Sequence, residues 1–562
     1  SVASRGLGDV YKRQVLGKHH QGGVLGGGGP GQFDDLAGIG VGVSQLNRKS
    51  RAGYAGDSMS IDVIHKTSLV APCRPRPSSP PIRRFSDSLI RPRAHHRPDT
   101  APRLTLMRGL GTYPHFGRAF RLELTRKGYV MEYLVRKTAI KLADGRDLFY
   151  FDDSEPYVSG AATRRSDDPR PLPPRFESVD GTAVSGPIMR RDPLTGDWIP
   201  MAAHRMNRTF LPPADANPLG PARPGATYQD GEIPDTDYDV VVFENRFPSL
   251  MEVPGVNNAE THPDGQDLFC ERPANGRCEV VCFGPDLHTN LVSMGPGRMR
   301  TVIEAWADRT AALSALPQIK QVFVFENHGE DIGVTLSHPH GQIYAYPYLT
   351  PKTAAMLRQA RALADKTGDP EANLIASVRD AEVRAGTRVV AENSHWVLYV
   401  PVAARWPIEF HLVPRRIVPD FAALDAAQRE SLADIYLKMM IVANHFHREP
   451  ARGEAAQPGA YLPVNYISAW HQAPVAPADG RGQLGLHCEF FSFLRAPGKL
   501  KYLAGSESGM GAWISDTTPE RIATRARQAA HECVELDAFA GLDYPTTCLL
   551  YTSPSPRDAT LS

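Results

Sequence analysis

Short apolar runs alternate with longer periodic stretches along the middle of the chain, and that alternation predicts its elements. Phe120–Thr125 places apolar groups at every second position, the period of a half-buried strand. Arg190–Ile199 reads as a turn followed by a short strand. Asp239–Phe247 is an apolar run that ends in polar groups, and Glu279–Phe283 is a compact strand. Residues 297–316 carry a helical period that Pro317 stops. Gln321–His328 is a strand, a glycine-containing loop follows, and Ile343–Tyr348 resumes extended structure after residues 338–342. An alanine-rich helix is predicted over 353–366. A second series then begins. Arg388–Glu392, Trp396–Val400 and Phe410–Pro414 read as strands, and 420–447 as a long helix with Asp425 capping its main part. His487–Phe491 is a last strand and 519–540 a terminal helix.

Both series share one order: strands, a long helix, then a segment rich in histidine. Short strands that follow one another without crossover helices imply antiparallel pairing. The expected fold is therefore α+β, with two related halves at 185–370 and 385–542. Residues 115–184 read as a strand-containing extension and linker. Residues 1–114 read as a low-complexity region: 22–31 are mostly glycine, and 74–103 are dominated by arginine and proline without a period. Gly8–Gln14 and Leu550–Asp558 resemble translated adapter sequence, so 548–562 and part of the N-terminal arm are expected to be non-native, and both ends are set aside from the fold.

Charge and cysteine content narrow the function classes. Lys plus Arg is 63 and Asp plus Glu is 62, giving a net charge of +1. That balance predicts neither nucleic acid nor an anionic membrane as partner. The arginine-rich arm lacks the aromatic residues that would stack on bases. No run approaches the ~20 apolar residues of a membrane helix, and the start of the chain lacks an apolar signal region. Seven cysteines, an odd number without a CxxC pair, argue against a disulfide framework. Cys278 and Cys282 flank a strand and are expected to be buried thiols. A reducing, cytoplasmic setting is the expectation.

The chemistry concentrates in His338-Pro339-His340-Gly341-Gln342. In extended chain, His338, His340 and Gln342 share one face. Proline and glycine at the alternate positions suit a strand end shaped around a ligand, with Gly341 letting it approach the main chain. A neutral imidazole can attack phosphorus, expel a phosphate and later leave again. Gln342 can donate to a phosphate oxygen but cannot exchange a proton in acid–base catalysis. Arg205 and Arg208 offer guanidinium forks for phosphate. Asn245 and Asn327 each follow an apolar strand, as ligand contacts or turn caps.

Further blocks accompany this segment: Arg190–Ile199, His204–Arg208, Val241–Leu250, Glu279–His288, Val322–Pro347, Arg405–Arg416 and Asn465–Pro474, then Leu486–Phe491 and Lys501–Glu507. Together they resemble the galactose-1-phosphate uridylyltransferase family of the histidine-triad superfamily, over roughly 185–535. The resemblance implies a homodimer of fused histidine-triad-like halves. It implies ping-pong exchange between UDP-glucose and galactose 1-phosphate, giving UDP-galactose and glucose 1-phosphate. It assigns the covalent uridylyl-histidine to His340, the stabilising amide to Gln342 and the phosphate contacts to Arg205 and Arg208. It places Asn245 and Asn327 at the nucleotide, Gly333 and Thr335 in a loop near the phosphates, and Lys501, Gly505 and Glu507 at the hexose phosphate, partly across the dimer.

No cofactor is implied for the chemistry. The family's structural zinc is expected to be lost or only weakly bound: Asn217 and Gly220 replace its two cysteines, Leu287 or His288 falls at the third position, and His338 stands at the fourth or, as a catalytic-site residue, orients the phosphate site instead. A second divalent site, for zinc or iron, retains His471 and His487. Glu489 stands where a third histidine belongs and Met356 where a glutamate belongs. The competing readings are an ADP-glucose or dinucleoside-polyphosphate phosphorylase or nucleotidyltransferase, a histidine-triad hydrolase, which Gln342 disfavours, and a non-catalytic nucleotide-binding dimer.

Overall fold

The computed structural model describes residues 134–171, 186–207, 212, 216–222, 231–252, 258–447 and 464–534, together with the backbone of 110–111, 120–125 and 128–133. The expectations for the glycine- and arginine-rich arm, for Arg208, for the end of the last helix and for residues 548–562 lie outside the described residues.

Eleven strands build one sheet. In chain order they are β1 (Arg136–Lys141), β2 (Asp147–Asp152), β3 (Val240–Glu244), β4 (Arg277–Cys282), β5 (Gln321–His328), β6 (His340–Tyr346), β7 (Val389–Glu392), β8 (Trp396–Tyr399), β9 (Ile408–Pro414), β10 (Tyr466–His471) and β11 (His487–Ser492). Across the sheet they lie as β7-β8-β9-β11-β10-β5-β6-β4-β3-β2-β1, and neighbouring strands pair antiparallel. Among the described residues five helices accompany them: α1 (Leu291–Ser314), α2 (Pro351–Thr367), α3 (Leu374–Ala385), α4 (Ala426–Asn444) and α5 (Pro519–Val534). The molecule is α+β, as the alternation of short strands and long helices predicted.

The order conceals a duplication. Reading outward from the centre, one half runs β5-β6-β4-β3-β2 and the other β10-β11-β9-β8-β7. These are the same path, with α1 inserted before β5 and α4 before β10. The halves meet where β5 pairs with β10, Phe325 opposite Ala469. A pseudo-twofold axis normal to the sheet therefore passes between those strands.

Alternation along the two central strands divides their labour. Val324 and Trp470 turn to the face that α1 and α4 cover, in a core with Trp306, Phe421 and Tyr436. Trp470 meets Trp306 at 6.2 Å and Trp396 at 6.1 Å between ring centroids. Phe323, Phe325 and Asn327 turn to the opposite face, which is left for ligands.

Several elements escaped the sequence reading. β1 and β2 come from the stretch read as an extension, yet they complete the first half's sheet beside β3. α3 was not expected; Asn373 caps it by accepting from the Ala376 amide. The helix expected from 297 starts earlier, at Leu291, with an Asn290–Ser293 capping box and a break at Gly295 before Pro296. The expected helix 420–447 is a short 3-10 turn, Phe421–Ala423, followed by α4, whose capping box joins Asp425 and Gln428.

Candidate active site

β3, β4, β5 and β6 place their outward side chains around one cavity of about 720 Å³. Its floor follows the register. Phe243 lies opposite Val280, Val280 opposite Gln342, and Gln342 opposite Phe325, so four strands contribute one row. His340 and Tyr344 flank Gln342 on β6, with intervening Gly341 and Ile343 buried beneath. Asn327, two residues beyond Phe325, brings an amide to the His340 end of the cavity. Arg205 enters from the 3-10 turn Ala203–Asn207, and Asn245, Arg246 and Phe247 from the loop after β3.

The segment His338–Gln342 behaves in part as its spacing foretold. His340 Nδ1 donates to the His338 carbonyl at 2.7 Å, so Nε2 keeps its lone pair. Burial pulls the His340 pKa below its ordinary value, against the bond to His338, and favours neutral imidazole. Gly333 and Thr335 line the cavity too. His338, however, does not face the cavity. It is 2% exposed and bonded to Asn217, Tyr238 and Gly284.

The role given to Gly341 is corrected. A Cβ there would stand 3.0 Å from the Phe283 ring and 3.1 Å from the Phe325 carbonyl. Glycine is needed for packing beneath the strand rather than for access by a ligand. Gly329, which opens the loop to His338–Gln342, has φ of +102°, and a Cβ would overlap Asn465.

Arg205 does line the cavity, with Nη1 donating to the Phe247 carbonyl at 2.9 Å. Lys501, Gly505 and Glu507 do not line it. Lys501 is buried and pairs with Asp516 at 3.0 Å, while Glu507 closes a turn onto the Ala504 amide. Within one chain the structure does not bring this segment to His340.

Some lining residues carried no signal in the sequence. Glu232 is buried against Arg146 at 2.6 Å, a pairing over 86 positions that spacing cannot reveal. Arg246 was legible only as the next residue after Asn245.

A second cluster occupies the image of this site. The axis that exchanges Phe325 and Ala469 exchanges Gln342 with Glu489, His340 with His487 and Asn327 with His471. Ligand atoms of His471, His487 and Glu489 all lie within 4.8 Å of one another. His487 Nδ1 bonds the Gly485 carbonyl at 2.9 Å, which leaves Nε2 for a ligand. His471 Nε2 is buried, with the Glu489 carboxylate 3.6 Å from it. This donor set fits a divalent ion of the zinc or iron kind. Two neighbours were unforeseen. Lys352, one helical turn before Met356, forms an ion pair with Glu489, and the His411 ring lies 6.4 Å from that of His487. Burial opposes ionisation of Glu489, but His471 and Lys352 hold its pKa well below the usual range. Burial pulls His487 down to about 3.

The zinc position does not fit its metal. Gly220 offers no donor, His288 is exposed, and both ring nitrogens of His338 are engaged by hydrogen-bond partners.

Similarity to known proteins follows the same outline. Family profiles for the N- and C-terminal domains of galactose-1-phosphate uridyl transferase match residues 180–350 and 358–535. A galactose-1-phosphate uridylyltransferase from Streptomyces lividans is 40% identical over 407 residues, 70% of this chain and 98% of that protein. One from Thermotoga maritima is 31% identical over 348 residues, 61% of this chain and 99% of its own length. A solved uridylyltransferase superposes with a TM-score of 0.51 at 29% identity, covering 62% of this chain and 99% of that one.

Proposed function

Because the chain belongs to the galactose-1-phosphate uridylyltransferase family, we propose that this uridylyltransferase exchanges uridylyl groups between UDP-glucose and galactose 1-phosphate through a covalent uridylyl-His340. His340 Nε2 attacks the α-phosphorus of UDP-glucose. A P–N bond forms, the P–O bond to the β-phosphate breaks, and glucose 1-phosphate departs. The proton stays on Nδ1, hydrogen-bonded to the His338 carbonyl, which supports the positive charge the ring acquires on phosphorylation. Galactose 1-phosphate then attacks the same phosphorus, breaks the P–N bond and leaves as UDP-galactose.

The remaining lining residues suit this traffic. Gln342 donates to a non-bridging oxygen and has no basic site with which to take a proton from water. Arg205, with Arg208 outside the described residues, faces the phosphates. Asn245 and Asn327 address the nucleotide beside the apolar walls of Phe243, Phe247, Val280 and Leu219. The observation that carries the reading is the 2.7 Å bond from His340 Nδ1 to the His338 carbonyl inside this cavity. It fixes which nitrogen is nucleophilic.

The chemistry needs no cofactor. A divalent ion at His471, His487 and Glu489 would tie β10 to β11 and displace the Lys352 ammonium. Its contribution is structural. Metal analysis of purified protein tests this, with substoichiometric or stoichiometric zinc or iron expected and its loss in His487→Ala.

Protein mixed with UDP-glucose labelled at the α-phosphate, without acceptor, should retain close to one label per chain. His340→Asn should retain none. Folded wild-type protein that stays unlabelled overturns the reading. Galactose 1-phosphate, ATP and inorganic phosphate as acceptors then distinguish uridylyl exchange from phosphorylase chemistry.

We read the working unit as a cytoplasmic homodimer. Tyr502 (77% exposed), Met510 (82%) and Ile514 (58%) lie on the same segment as Lys501, Gly505 and Glu507. That combination suits a strap laid on a second copy. No helix among the described residues is long and apolar enough to cross a membrane.

A further inference from the structure

The geometry around His338 points to a metal-free clamp, with Tyr238 and Asn217 as positioning residues that hold His338 so that its carbonyl fixes the reactive form of His340. This rests on the uridylyl-transfer reading, since it concerns the same nucleophile.

The hydrogen bonds determine the arrangement. Asn217 Oδ1 accepts from the Leu219 amide at 3.1 Å, so the NH2 end of that side chain faces His338 and donates to Nδ1 at 2.9 Å. With Nδ1 an acceptor, the neutral ring carries its proton on Nε2. That N–H meets the Gly284 carbonyl and the Tyr238 hydroxyl, each at 2.9 Å. Tyr238 is 1% exposed, and its hydroxyl also reaches the Leu219 carbonyl at 2.9 Å and the Gly284 carbonyl at 2.8 Å. One phenol thus ties three chain segments to one imidazole, and both ring nitrogens are used. Burial, against the bond to Gly284, lowers the His338 pKa to about 4, which keeps the ring neutral at physiological pH.

A metal ion in such a knot would orient His338 by coordination. Here an amide and a phenol do so by donating to one nitrogen and receiving from the other. The consequence appears two residues away. His338 presents its carbonyl to His340 Nδ1 only while its own side chain is anchored. If the anchor loosens, His340 can take up the tautomer protonated on Nε2, which has no lone pair to offer phosphorus. The nucleotide contacts given to Asn245 and Asn327, which β3 and β5 position, would be little changed.

The test uses the full chain, labelled UDP-glucose and rapid quenching, with Tyr238→Phe and Asn217→Ala. The first-turnover labelling rate should fall about 10- to 100-fold in each variant, as for other outer partners of reactive histidines. KM for UDP-glucose should stay within about twofold, and Tm within a few degrees. EDTA should leave wild-type labelling unchanged. Unchanged rates in both variants would overturn the clamp, as would losses confined to KM or Tm. So would stoichiometric zinc that remains bound in His487→Ala and whose removal stops labelling. If the wild type itself takes no label, the transfer reading fails, a different result from a wild type that labels beside indifferent variants.

Discussion

His340 and Glu326 lie on adjacent strands, and burial shifts both, with opposite meaning for pH. His340 is held neutral with its pKa lowered by burial, so its attack should be pH-independent around neutrality and should fall only at pH below the ordinary imidazole range, as acid protonates Nε2. A quench-flow pH profile checks this; a rate that rises on acidification would contradict it. Glu326 is 4% exposed, bonded to the Tyr466 hydroxyl at 2.9 Å, and burial pushes its pKa up to about 8. Its protonated form contributes stability fully below the unfolded value of about 4.5, and that contribution is lost as pH rises through about 8. Glu326→Gln should therefore flatten the decline in unfolding free energy between pH 5 and pH 8 by roughly 1–3 kcal/mol. Urea titrations at the two pH values measure it, and an unchanged slope would show that Glu326 is ionised when folded. At this scale the sequence was legible where chemistry was local. His340, Gln342, Asn245 and Asn327 were found because each sits within a few positions of an apolar strand. Tyr238, Glu232 and Lys352 were not, because their partners lie 100, 86 and 137 residues away.

Elements with a strong period were read to within a few residues. β5 matches its expectation at both ends, and α2 and β11 differ by one or two residues. Two of those missed had weak or mixed patterns. β1 alternates exposed and half-buried residues at the sheet edge, and α3 buries only Ile375 and Glu382 along twelve residues. Caps decided the boundaries. Asp425 accepts from the Gln428 amide at 2.8 Å to start α4. Asp425→Ala should cost about 1 kcal/mol of stability, seen as a lower urea midpoint at constant m-value. Labelling of His340 should not change, because α4 covers the face of the sheet away from the cavity.

For the whole molecule, the duplicated path gives two symmetric places for chemistry, yet only one carries His340 and Gln342. The other carries histidines and a carboxylate on the same row, suited to an ion instead of a phosphate. If the Lys501–Glu507 segment completes the site of a second copy, two inactive variants should rescue each other. Mixed His340→Asn and Glu507→Ala chains should regain roughly a quarter of wild-type activity, the share of intact sites in randomly paired dimers. No recovery after subunit exchange would confine the site to one chain. The junction of β5 with β10 carries one more implication. Severing the backbone between α3 and β7 would give two fragments, each with a raw edge in the middle of its sheet and half of the Trp306–Trp470 packing torn open. Produced separately, such pieces should precipitate or stick to themselves; made together, they should knit along that one seam. The repeat that built this protein has left two copies that can no longer live apart.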